Sequence, residues 1–128
     1  MTHILLIDDD DLLRDTLLQM LQLDGHRVTE AAGGEQGLAL FGSGVGFDAV
    51  VTDILMPGTD GAQVIVELRR RCPKVPIVAI SGGRRVLTSS FNLETAAISG
   101  ATCQLAKPFT RAQLQAVLRQ ALAASATP

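Results

Sequence analysis

The chain contains no Trp and no Tyr, and four Phe are its only large aromatic side chains. Its core must therefore be aliphatic, and it offers no stacking platform for single-stranded nucleic acid, whose bases lie on aromatic rings. Net charge is only -2, and the basic residues are scattered apart from the short runs Arg69-Arg70-Arg71 and Arg84-Arg85. A DNA-binding face needs a broader basic footprint, so both runs read as solvated helix or loop surface. Two Cys are too few for a disulfide framework, and Cys72 and Cys103 lack metal-ligand spacing. They read as ordinary thiols of a reducing compartment. The first apolar run meets four acids, Asp8 to Asp11, and so does not read as a signal peptide. No segment is long and apolar enough to span a bilayer. These absences predict a cytoplasmic protein.

What the chain does have is apolar content, 47% against 19% charged residues, which makes disorder improbable. Its 128 residues suit one domain with one good-sized core. Short apolar runs alternate with longer amphipathic stretches. Ile4-Leu5-Leu6-Ile7 reads as a strand that stops at acids. From Leu12 to Leu23 the apolar positions Leu13, Leu17, Met20 and Leu21 recur at helical spacing, with Asp10 as a cap and Asp11 in the first turn. Arg27 to Glu30 reads as a more polar edge strand, and Glu35 to Phe41 as a second helix. Ala49 to Thr52 forms a third strand ending at Asp53, and Gly61 to Arg71 a helix that stops before Pro73. Ile77 to Ile80 is the fourth strand. Leu87, Phe91 and Ile98 suit a fourth helix, and Gln104-Leu105-Ala106 a fifth strand. A last helix carries Leu114, Val117, Leu118, Ala121 and Leu122, and fraying is expected from Ala123. Five strands alternating with five helices predict an α/β fold, a parallel sheet covered on both faces. Right-handed crossovers reduce the topology to a doubly wound sheet, with strand order 2-1-3-4-5.

In such a sheet, ligands bind beyond the carboxyl ends of the strands, at the switch point between strands 1 and 3. Strand 1 delivers Asp8 and Asp9 there, strand 3 Asp53, strand 4 Ser81 and strand 5 Lys107. Taken singly, each has an ordinary explanation: an Asp at a strand end caps the next helix, and Ser81-Gly82-Gly83 is a turn. Together they place three carboxylates, a hydroxyl and an ammonium in one crevice. Carboxylates a few ångströms apart repel, so some stay protonated or a cation neutralises them. Hard oxygen donors without clustered His or thiolate favour Mg²⁺ over zinc. In that setting a carboxylate can attack phosphorus while cations offset the charge of the moving group.

Ile7-Asp8-Asp9-Asp10, then Asp53-Ile54-Leu55-Met56-Pro57-Gly58 with Asp60-Gly61, then Ser81, then Lys107-Pro108-Phe109, resemble the receiver domains of two-component response regulators. The match runs from His3 to about Ala123 in the right order and spacing. The resemblance implies a flavodoxin-like (βα)5 fold, with a receiver domain over 1–124 and a tail over 125–128. It implies phosphoryl transfer to Asp53 from a histidine kinase or phosphotransfer protein, with Mg²⁺ as cofactor. Asp9 and Asp53 would ligate Mg²⁺ directly, Asp8 through water, and the Leu55 backbone carbonyl would complete the protein ligands. Ser81, Gly82 and Lys107 would contact the phosphoryl group, with the bond before Pro108 cis to aim Lys107 into the pocket. The resemblance makes the chain a signalling module that catalyses phosphorylation and hydrolysis of its own Asp53, not a metabolic enzyme. Its output would pass to a downstream protein through the face formed by the fourth helix, fifth strand and fifth helix.

Two departures stand out. The family usually has an aromatic switch residue three positions before the Lys, and that position here is Gln104. The segment from Gly82 to Ser90 also runs a few residues longer than the common pattern. Gln104 mildly favours the main alternative, a degenerate receiver that binds a partner without phosphorylation; the intact acids, Ser81 and Lys107 argue against it. A hydrolase similar to the haloacid dehalogenase-like phosphatases would need Thr or Val where Leu12 stands. A dinucleotide-binding domain would need Gly-x-Gly-x-x-Gly after the first strand, which is missing.

Overall fold

The computed structural model describes residues 2–54, 61–81 and 100–126, with backbone alone at 61–62 and 125–126. In chain order these form β1 (His3–Ile7), α1 (Asp11–Leu23), β2 (Arg27–Ala31), α2 (Gly34–Phe41), β3 (Ala49–Asp53), α3 (Gly61–Arg71), β4 (Ile77–Ser81), β5 (Cys103–Ala106) and a last helix, α4 (Arg111–Ala126). The five strands make one parallel sheet in the order β2-β1-β3-β4-β5, the order expected from the crossovers. The helix expected around Leu87 to Ile98 lies outside the described residues.

Strand alternation divides the core into two layers. Side chains with a period of two point to opposite faces, and so Leu5, Ile7, Val50, Ile77 and Ala79 pack with Val64, Ile65 and Leu68 of α3. Their neighbours Ile4, Leu6, Val51, Val78, Ile80 and Leu105 pack with Leu17 and Leu21 of α1 and with Leu114, Leu118 and Ala121 of α4. Because both faces are covered, β1, β3 and β4 are apolar almost throughout, and every residue of β3 and β4 is buried. β2, at the edge, is the polar strand that its Arg27, Thr29 and Glu30 foreshadow.

Local chemistry sets the boundaries. Asp10 accepts hydrogen bonds from the amides of Leu12 and Leu13, both at 3.1 Å, which satisfies two donors at the start of α1. Gly25, at φ +88°, turns the chain after α1 in a conformation costly for residues with a Cβ. At the far end of α3, the half-buried Arg69 guanidinium donates to the carbonyls of Pro73, Val75 and Gly100. It thereby ties α3 to the segments that enter β4 and β5. α4 continues to Ala126, past the fraying expected from Ala123. Ala is the strongest helix former, and the run Ala121 to Ala126 contains four of them. Among the described residues, no helix is long and apolar enough to cross a membrane.

Gly37 of α2 lies directly against β1. A Cβ built there would overlap Ile7 Cδ1 and stand 2.8 Å from Ile7 Cγ1. Ile7 is fully buried and stiff at χ1, so it has little freedom to yield. Replacing Gly by Ala gains roughly 1 kcal/mol of helix propensity but brings an overpacking cost of about 1–3 kcal/mol. Gly37→Ala is therefore expected to be destabilising by about 1 kcal/mol, and Ile7→Val, which removes Cδ1 but leaves Cγ1, should cost less in the Gly37→Ala background than in wild type. Urea unfolding midpoints check this; a Gly37→Ala protein more stable than wild type would show that the contact is not limiting.

Candidate functional site

The parallel register assembles the site. Ile7 pairs with Thr52, so the next residues, Asp8 and Asp53, leave the sheet side by side. Ser81 pairs with Ala106, and the Lys107 amide donates to the Ser81 carbonyl at 2.8 Å, carrying the ladder one residue further. The Lys107–Pro108 bond is cis. Lys107 Nζ lies 3.2 Å from Asp53 Oδ2. Asp8, Asp9 and Asp53 each offer a carboxylate oxygen, and the three oxygens all lie within 4.8 Å of one another. The residues singled out in the sequence on strands 1, 3 and 5 thus converge at one end of the sheet, with Ser81 at the end of the strand between β3 and β5. Leu55 and Gly82, also expected at the site, lie outside the described residues.

Burial makes this cluster electrostatically costly. Asp8 is 1% exposed, Asp53 4% and Ser81 0%, whereas Asp9 faces solvent. Asp8 Oδ1 accepts from the Asp10 amide at 2.9 Å, but Oδ2 is buried without a hydrogen-bond partner among the described residues. The Asp8 carboxyl is accordingly pushed up to about 6. Burial is the main cause, the charges of Asp53 and Asp9 add to it, and the Asp10 amide and the Lys107 ammonium oppose it. Buried oxygens that lack a partner are rare in folded proteins and call for one. A hard divalent cation would meet that need, because it takes carboxylate oxygens directly or through its waters. The donor set and the orphaned Asp8 oxygen therefore fit Mg²⁺.

Gln104 is half-buried in β5, opposite Ala79 of β4. Its neighbours Cys103 and Leu105 pack toward α1 and α4, so by alternation Gln104 stands on the other face of the sheet. Sequence reasoning missed one residue of the site's surroundings. Arg14, in the opening turns of α1, donates from Nη1 to the Asp8 carbonyl at 2.7 Å and pairs with Asp11 and Glu30. A signal was present: a cation near the positive end of a helix dipole is unfavourable unless something holds it there.

Comparison with known proteins agrees with this geometry. The family model of the response regulator receiver domain matches residues 4–119. The chain is 36% identical over 122 residues to the transcriptional regulatory protein AfsQ1 of Streptomyces coelicolor, covering 95% of this chain and 52% of that one. It is 35% identical over 120 residues to the response regulator MprA of Mycolicibacterium vanbaalenii, covering 94% and 50%. The chain thus spans about half the length of these curated relatives. Among solved structures, the chemotaxis protein CheY4 of Vibrio cholerae superposes with a TM-score of 0.83 at 27% identity, over 94% of this chain and 98% of that one. With nearly all of its length matched and its acids and lysine meeting where the fold places them, the chain belongs to the receiver domains of two-component response regulators.

Proposed function

We propose that Asp53 accepts a phosphoryl group from a histidine kinase or phosphotransfer protein in a Mg²⁺-dependent reaction, and that acceptance switches partner binding. The observation that supports this best is the Asp53 carboxylate itself. It is nearly buried, 3.2 Å from the Lys107 ammonium, and shares its end of the sheet with two further carboxylates. Here a candidate nucleophile, a cation and an acidic cluster meet in one place, the parts that phosphoryl transfer to a carboxylate needs.

In the reaction, an Asp53 oxygen forms the new bond to phosphorus as the bond from phosphorus to the donor's imidazole nitrogen breaks. The electron pair of that bond leaves with the imidazole. Lys107, already beside Asp53, would shift its ammonium to an arriving phosphoryl oxygen. Ser81 would donate its hydroxyl to another, and the Gly82 backbone would line the same site. Asp9 and Asp53 would hold Mg²⁺ directly, Asp8 through water, with the Leu55 carbonyl. When bound, the ion offsets charge on the transferring group. The group brings roughly -1.5 to -2 of charge, which would draw Ser81 and Lys107 inward and alter the surface of β5, α4 and the helix expected around Leu87 to Ile98. Gln104 would have to serve there without an aromatic ring. In this reading residues 1–124 act as the receiver, 125–128 as a tail, and the chain works in the cytoplasm.

Incubation with acetyl phosphate and Mg²⁺, followed by intact mass measurement, tests the reading. Wild type should gain one phosphoryl group, and neither Asp53→Asn nor an EDTA-treated sample should gain any. Failure of wild type to take up both the phosphoryl group and beryllofluoride would overturn it.

A further inference from the structure

We infer that Arg14 is a positioning residue for the metal-binding acids, acting on Asp9 through the Asp8–Asp9 peptide. This rests on the Mg²⁺-dependent reading of the site given above.

The Arg14 side chain is only 16% exposed, and its planar guanidinium faces three different elements. Nε donates to Glu30 Oε1 of β2 at 3.2 Å, Nη2 to Asp11 Oδ1 of α1 at 2.7 Å, and Nη1 to the Asp8 carbonyl at the end of β1, also at 2.7 Å. Two carboxylates already balance its charge. The third contact goes to a neutral carbonyl oxygen, although the Asp8 carboxylate belongs to the same residue. Arg14 thus grips the backbone of Asp8.

That backbone is the link to Asp9. The Asp8 amide donates to the Ala31 carbonyl at 3.1 Å, and Asp8 Oδ1 takes the Asp10 amide. Arg14 holds the peptide joining Asp8 to Asp9 by its carbonyl, and Asp8 Oδ1 holds the next peptide by the Asp10 amide, so Asp9 is bracketed by two held peptides. Asp9 has no such support of its own: it is exposed, and among the described residues no hydrogen bond holds its carboxylate. The two flanking peptides therefore set where its Cβ points, and its carboxylate lies within reach of Asp8 and Asp53. Mg²⁺ demands near-octahedral geometry at short, narrow distances, so a tilt of the Asp8–Asp9 peptide would take one ligand out of range. Groups that orient metal ligands typically change affinity by about 10–100-fold when removed.

The test is an NMR titration of the protein with MgCl₂, paired with thermal melts in EDTA, for wild type, Arg14→Met, Arg14→Lys, Asp9→Asn and the Arg14→Met/Asp9→Asn double variant. Arg14→Met should weaken Mg²⁺ binding about tenfold and shift the Asp9 amide resonance in the metal-free spectrum. Arg14→Lys should not restore affinity, because an ammonium cannot serve three acceptors in one plane. In the Asp9→Asn background, Arg14→Met should change affinity less than about twofold, since the charged oxygen it orients is gone. A purely structural role would lower the melting temperature in both backgrounds without that non-additivity. Glu30→Gln, which loosens the guanidinium without removing it, guards against an unfolded Arg14→Met protein and should weaken Mg²⁺ binding by less than Arg14→Met does. Unchanged affinity in folded Arg14→Met, or an equal loss in both backgrounds, overturns the inference alone. Wild type failing to bind Mg²⁺ would instead overturn the metal-dependent reading, and this inference with it.

Discussion

In EDTA, the wild-type protein is expected to lose stability as the pH rises from about 4 to about 6, because the Asp8 carboxyl titrates near 6 in the fold against 3.8 unfolded. The folded state keeps a proton through that window that the unfolded chain has already released, so folding is favoured at its acid end. Above the folded value both states have lost the proton, and the charged Asp8 is left buried with one oxygen unpartnered. The difference between the two values corresponds to roughly 2–3 kcal/mol. Glu67 runs the other way. Its side chain is held down to about 2 by hydrogen bonds from Arg70 and Arg71, so its contribution is lost as the pH falls from 4.5 and meets the Asp8 window only at that window's acid end. Asp8→Asn should abolish the decline and make the metal-free protein more stable than wild type at pH 7.5, by on the order of 2 kcal/mol. It should also remove most of the stabilisation that Mg²⁺ confers on wild type, since the ion no longer relieves a buried charge. Chemical denaturation across pH, with and without Mg²⁺, checks both parts. A flat wild-type profile, or the same decline in Asp8→Asn, would show that Asp8 is not the titrating group.

Lys107→Met should destabilise the metal-free protein at pH 7.5 by about 2 kcal/mol. Removing one partner of a buried ion pair costs about 3–5 kcal/mol when both are buried, and the lower figure reflects a Lys side chain that is 26% exposed beside an Asp53 side chain that is 5% exposed. Without the ammonium, the three carboxylates at the end of the sheet lose the cation paired with Asp53. Two conditions should shrink the loss. Mg²⁺ supplies the missing positive charge, and at pH 5 a protonated Asp8 removes part of the repulsion. The same measurements decide the cause. A loss that is equal at pH 5, at pH 7.5 and with Mg²⁺ would come from packing of the lysine's aliphatic stem instead.

Much of the fold was legible in the sequence because it depends on local signals. The apolar runs of β1, β3 and β4, the helical spacing of Leu13, Leu17 and Leu21, and the Asp10 cap all act over a few residues, and the structure places each where those signals put it. The convergence of the candidate residues was legible for a related reason. In a parallel sheet every strand ends on the same side, so the strand ends that carry Asp8, Asp53, Ser81 and Lys107 had to lie together once the strands were recognised. Boundaries were less well marked: β5 begins at Cys103, β2 continues to Ala31, and α4 carries its Ala-rich end beyond the expected fraying. At such ends the local preference is weak, and pairing or helix propagation decides the last residue.

The amino acids alone determined which groups could do chemistry here: three oxygen-donor acids, a hydroxyl and an ammonium, in an order along the chain that a doubly wound sheet brings together. Tertiary structure decided how those groups are held. The lone buried oxygen of Asp8, the 3.2 Å approach of Lys107 to Asp53, and the clamp of Arg14 on the Asp8 carbonyl all join residues from different elements. No local pattern encodes such contacts. Burial, register and the direction of a backbone carbonyl exist only after strands and helices have packed, and they set both the charge balance of the site and the arrangement of its acids.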